Sequence, residues 1–178
     1  MQSAQRIWNE LGGTAQGWND WAASSSLRNF AAGRGGVNAW TKLGTRFTDV
    51  LGRSYEPKDL ATKTTLVTLW ASWCGPCRAE LPYFEKLHQQ FQNRDDIVLL
   101  AFNIDDDIAD MHKALGELKL SIPSVYAAPF VYSMLAPTAI PANWLVTPAK
   151  TELLWIDAPN LPEWQAKMAE VLEKAADR

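Results

Sequence analysis

Cys74 and Cys77 are the whole cysteine complement of the 178 residues, and two residues separate them. Sulfurs at that spacing suit metal binding, haem attachment, a structural bridge or thiol–disulfide exchange. A structural zinc needs four ligands, and His88 and His112 do not stand at finger-like spacing from the pair. A c-type haem needs His directly after the second Cys, where this chain has Arg78. A purely structural bridge over so short a loop adds little chain-entropy stabilisation. Thiol–disulfide exchange is the chemistry that the residue types favour.

That chemistry needs elements to position it. An apolar run, Thr65 to Ala71, leads into the pair, and a helical pattern from Arg78 to Phe84 leads out. A strand ending in Cys-x-x-Cys and running into a helix puts the first sulfur at a helix N-terminus, where N–H groups and the dipole favour a thiolate. Cys74 is therefore the expected exposed nucleophile, with Cys77 one turn in and buried. Gly75 permits close approach of another chain, and Pro76 suits a first helical turn.

The stretch Trp70-Ala71-Ser72-Trp73-Cys74-Gly75-Pro76-Cys77-Arg78, continued by Glu80-Leu81-Pro82, resembles the active-site segment of the thioredoxin superfamily. The longer pattern Cys-x-x-Cys-x-x-Glu-x-Pro resembles the TlpA/ResA-type thioredoxin-like proteins, extracytoplasmic disulfide reductases of bacteria. The resemblance covers about residues 44–178. It implies an α/β thioredoxin-like fold: a central mixed sheet flanked by helices, with an N-terminal β-hairpin and a central insertion. It implies a catalytic Cys74–Cys77 pair with Glu80 as proton carrier, and a cis-proline facing the sulfurs. Pro141, between Ile140 and the strand at Asn143, is the candidate; Pro123 and Pro137 are its rivals. Trp73, Gly75, Pro76, Ile140 and Pro141 would then meet substrate. Thr68 departs from the acid or Asn common at its position, and Thr cannot accept a proton from Cys77.

The implied partners are disulfide-bonded proteins and a thiol-protein electron donor of the DsbD type, with no organic cofactor or metal beyond the redox-active disulfide. The implied location is periplasmic or otherwise extracytoplasmic, with any signal or membrane anchor removed from this chain. Cysteine usage alone does not fix the compartment. Two other functions remain open. A thiol peroxidase on the same fold would want Thr or Ser where Ala71 stands. A non-catalytic binding module would use the N-terminal aromatics as its surface.

Composition agrees with a soluble globular chain: 47% hydrophobic and 21% charged. A net charge of −3 gives no reason to expect a nucleic-acid or anionic-membrane partner. Nine tryptophans are many for this length, and several lie in residues 1–43, an N-terminal extension outside the family pattern. Trp8, Trp18, Trp21 and Phe30 there are expected to pack on the main domain or, less simply, to form a partner-contacting arm.

Along the rest, Phe47 to Tyr55 reads as a hairpin and Pro57 to Leu60 as a short helix. Leu81, Phe84, Leu87 and Phe91 mark one face of a helix that Pro82 should kink. Ile97 to Phe102 is a second buried strand. Asp105, Asp106 and Asp107 read as capping and a solvated turn before a helix carrying Met111 and Leu115. Phe130 to Leu135 reads as a short helix. Residues 143–146 and 152–156 read as a strand pair, and Leu161 to Ala175 as a closing amphipathic helix.

Overall fold

The computed structural model describes residues 46–128, 131, 139–149, 151–154 and 160–177. The N-terminal aromatics, the helix expected at Phe130 to Leu135, Pro137, and Trp155 and Ile156 lie wholly or mainly outside the described residues.

Chain order is β1 (Phe47–Thr48), β2 (Ser54–Tyr55), α1 (Pro57–Leu60), β3 (Thr64–Trp70), α2 (Gly75–Phe91), β4 (Ile97–Asn103), α3 (Ile108–Leu118), β5 (Ser124–Tyr126), β6 (Ala142–Val146), β7 (Thr151–Leu154) and α4 (Leu161–Ala176). β1 and β2 form the small hairpin. The other strands form one mixed sheet in the order β5-β4-β3-β6-β7. β3 pairs parallel with β4 and antiparallel with β6. Every residue of β3 is buried, as its continuous apolar run requires of a central strand covered on both faces.

Strand pleating sends alternate residues to opposite faces. Leu66, Thr68 and Trp70 share one face, and Val67 and Leu69 the other. α2 and α4 contact each other, and both contact β3, so they lie together on one face. On that side α2 buries Leu81, Phe84, Leu87 and Phe91, the residues its helical spacing marks. The helix continues through Pro82, although proline cannot donate to the carbonyl of Arg78. α3 is tied to α2 by Arg78 Nη2 donating to Glu117 Oε2 at 2.9 Å. The loop after α3 is tied to it by Ser121 N–H and Oγ–H, which donate to buried Glu85 at 2.9 and 2.6 Å.

The hairpin turns on Asp49, whose carboxylate accepts from Leu51 N, Arg53 N, Arg53 Nε and Tyr55 Oη. Burial raises the Asp49 carboxyl, but the Arg53 and Tyr55 bonds outweigh it and hold it below the usual range. Gly52, at φ +79°, supplies the left-handed residue of the turn. Val50 N–H donates to Ser124 O at 2.8 Å and fastens the hairpin to β5.

α4 opens with Asn160, whose side chain accepts from Glu163 N at 2.9 Å. Asn160→Ala should destabilise the fold by about 1 kcal/mol, the usual worth of an N-cap. A urea titration reads this; an unchanged midpoint would mean the cap contributes nothing.

Candidate active site

The β3–α2 junction builds the site. β3 delivers the chain to Trp70, and the turn at 71–73 leads to Cys74, the N-cap of α2. Cys74 has extended backbone, and its Sγ accepts from Cys77 N–H at 3.2 Å. The first sulfur therefore sits where unpaired helix N–H groups and the dipole stabilise negative charge. Cys77 follows one turn in, and the two are joined by a disulfide with S–S 2.03 Å.

Exposure follows the expected order but not the expected extent. Cys77 is 1% exposed and Cys74 only 5%, so the first cysteine is largely covered in the oxidised pair. Trp73 is 67% exposed, Gly75 and Pro76 are exposed, and a Cβ placed on Gly75 would meet nothing within 4 Å. The surface beside the sulfurs is thus an open approach with one large aromatic wall.

The Ile140–Pro141 bond is cis. Register places Ala142, the next residue, opposite Leu69 near the end of β3 that leads to the cysteines. Pro141 and Ile140, both half-buried, therefore stand at the same end of the sheet as the disulfide.

Glu80 is 8% exposed, so it is not the solvated helix residue that its type would suggest. Its Oε1 accepts from Asn143 Nδ2 at 2.9 Å. Burial pushes the Glu80 carboxyl above the usual range, and the Asn143 bond opposes that only in part. A buried carboxyl one turn beyond Cys77, displaced toward neutrality, is a group able to exchange protons with a thiol.

Two residues at the site escape sequence reasoning in these roles. Asn143 is the polar residue in an otherwise apolar strand, two after Pro141 and opposite Thr68. Asp105 corrects the reading of the three aspartates. Only Asp107 caps α3, accepting from Ala109 N. Asp105 is 1% exposed, and its carboxylate accepts from Ser72 N, Ser72 Oγ and Asn103 Nδ2. It pins the turn that carries Trp73 and Cys74 to the end of β4. Its position at a strand end was the available signal; three identical neighbours hid which one turned inward.

The profile of the redoxin family matches residues 26–132. The chain belongs to the redoxin family. Over part of its length this redoxin is similar to thiol-disulfide oxidoreductases of the ResA kind. It is 35% identical over 76 residues to the thiol-disulfide oxidoreductase ResA of Bacillus thuringiensis, covering 43% of each chain. With its namesake in Geobacillus thermodenitrificans it shares 29% over 77 residues, 43% of this chain and 44% of the relative. The redoxin thus spans less than half the length of the curated relatives it matches.

Solved structures show the thioredoxin-like fold. A secreted Mycobacterium tuberculosis disulfide oxidoreductase homologous to DsbE superposes with TM-score 0.59 at 16% identity, covering 73% of the redoxin and 98% of that chain. The thioredoxin domain of a Bacteroides vulgatus thiol-disulfide oxidoreductase gives TM-score 0.55 at 24% identity, covering 70% and 92%. Among the described residues, no helix is long and apolar enough to cross a membrane.

Proposed function

We propose that the chain is a thiol–disulfide oxidoreductase that reduces disulfides in extracytoplasmic partner proteins through Cys74 and Cys77. The observation that carries this reading is Cys74 Sγ at the N-cap of α2, accepting from Cys77 N–H. In the reduced protein the same N–H would stabilise a Cys74 thiolate. That thiolate attacks a substrate disulfide, forms a mixed disulfide and expels one substrate thiolate, which takes a proton from water. Cys77 gives its proton to the Glu80 carboxylate and attacks Cys74 Sγ. The mixed bond breaks, the second substrate thiolate leaves and is protonated, and Cys74–Cys77 is oxidised by two electrons.

Trp73, Gly75, Pro76, Ile140 and Pro141 form the docking edge in this reading. Proline offers no N–H there, so the Ile140 backbone is left to pair with an extended substrate segment. A thiol protein of the DsbD type returns the electrons, and no organic cofactor or metal takes part. The name of the ResA relatives supports this activity, and the secreted Mycobacterium tuberculosis fold neighbour agrees with an extracytoplasmic setting. Residues 1–43 are proposed as an extension to a thioredoxin-like domain at 44–178, although the redoxin profile reaches back into them, to residue 26.

Insulin reduction with dithiothreitol as donor tests the activity. Turnover well above the dithiothreitol background is expected. Substrate binding without turnover would point instead to a non-catalytic module.

Glu80→Gln should lower the apparent thiol pKa values, because a carboxylate that opposes thiolate formation is gone. The thiols and Glu80 titrate as a coupled set, so the shift belongs to the set. There is also a consequence for stability. The Glu80 carboxyl is raised in the fold, so its contribution is full below its unfolded value and is lost as pH rises through its folded value. Wild-type protein should lose stability across that window, and Glu80→Gln should lose less. Thiolate absorbance and denaturation against pH read the two effects; parallel curves for both proteins would contradict them.

A further inference from the structure

Glu80, if it carries the Cys77 proton, must be stable in two buried states. A buried carboxylate needs donors, and a buried carboxylic acid needs an acceptor for its own O–H. Asn143 holds both kinds of group at one point. Its Nδ2 donates to Glu80 Oε1 at 2.9 Å. Its Oδ1 is buried and accepts no hydrogen bond from any described residue. An unpartnered buried carbonyl costs free energy unless some state of the protein uses it.

We propose that Asn143 is the positioning residue that lets Glu80 cycle between carboxylate and carboxylic acid, Nδ2 serving the first form and Oδ1 the second. The proposal rests on the proton-carrying role given to Glu80 above. In the step concerned, the Cys77 S–H bond breaks and a Glu80 O–H bond forms. The products are a Cys77 thiolate and a carboxylic acid whose hydrogen turns to Asn143 Oδ1. No charge is gained or lost overall. A side chain with donors alone or acceptors alone at 143 would stabilise one state at the expense of the other.

The surroundings leave this exchange to the site itself. The sheet residues in register with Asn143 are Leu154, Thr68, Ala101 and Ser124, none of them titratable. Every titratable side chain of α3 and α4 is exposed. On α2, Arg78 is paired with Glu117 and Glu85 with Ser121, and half-buried His88 lies two turns beyond Glu80. Asp105 is committed to Ser72 and Asn103. Half-buried Tyr83, with Lys86 over its ring, lies one turn beyond Glu80, and Cys74 and Cys77, joined here as a disulfide, complete the titratable residues described at that end of α2.

Asn143→Val and Asn143→Thr test the proposal, because the two replacements have nearly the same shape and both suit a strand. Valine supplies neither hydrogen-bonding role, whereas a threonine hydroxyl supplies both. The Glu80 carboxyl carbon is followed by NMR against pH in the oxidised protein, and decay of a mixed disulfide is followed after reduction. Asn143→Val should move the Glu80 titration to higher pH and slow decay about tenfold at neutral pH. Asn143→Thr should recover most of both losses. Valine and threonine variants that titrate alike would overturn the proposal. The wild-type protein provides a check that needs no variant to fold: the Asn143 side-chain amide resonance should titrate with the same midpoint as Glu80. An amide that ignores that titration would equally overturn it. Normal coupling without insulin reduction would contradict the proposed activity and leave Asn143's role standing.

Discussion

Cys74→Ser should abolish disulfide reduction, and Cys77→Ser should accumulate a mixed disulfide between Cys74 and substrate. The asymmetry comes from the helix start. Cys74 Sγ caps α2 between exposed Trp73 and Gly75, while Cys77 is 1% exposed one turn further in. A serine hydroxyl at 74 is too weak a nucleophile at neutral pH to attack a disulfide, so activity should fall to background. A serine at 77 leaves attack intact and removes resolution. Intact mass under non-reducing conditions reads the trapped adduct. Faster alkylation of Cys77 than Cys74 in the reduced wild type would contradict the assignment.

Asp105→Ala should destabilise the oxidised protein by about 2–4 kcal/mol, because several donors lose their acceptor together. Ser72 N, Ser72 Oγ and Asn103 Nδ2 all donate to this carboxylate, and the site around it is buried. The same change frees the turn before Cys74. Ile104 N–H still holds Trp70 O, and Cys74 N–H still holds Ala71 O, but nothing then fixes Ser72 between them. Disulfide exchange should slow with stability, and Asp105→Asn, which keeps one acceptor, should fall between. Urea denaturation and exchange rates measured on the same samples check both. A variant with wild-type midpoint would show that the Asp105 contacts are dispensable.

What could be read from the chain and what could not divide along contact distance. The central strand was legible because Thr65 to Ala71, an apolar run broken only by β-branched threonines, admits few other structures. The sulfur at a helix start followed from the local order strand, Cys-x-x-Cys, helix. The cis bond at Pro141 was anticipated from family resemblance, not from local chemistry. Glu80's burial was beyond local pattern, because its partner Asn143 lies 63 residues later and arrives only when β6 pairs with β3. Asp105 was misread for the same reason. Its partner Ser72 lies 33 residues earlier, across a parallel pairing that no window of sequence displays. Cys74's small exposure depends likewise on tertiary cover.

Equilibration with a graded series of thiol redox buffers, read by intact mass and thiol labelling, tests thiol–disulfide exchange most directly. Cys74 and Cys77 should convert together as one reversible two-electron couple, and the reduced form should pass both electrons to a protein disulfide. A pair that stays oxidised in excess dithiothreitol, or that reduces without passing electrons on, would contradict the assignment of this chain as an oxidoreductase.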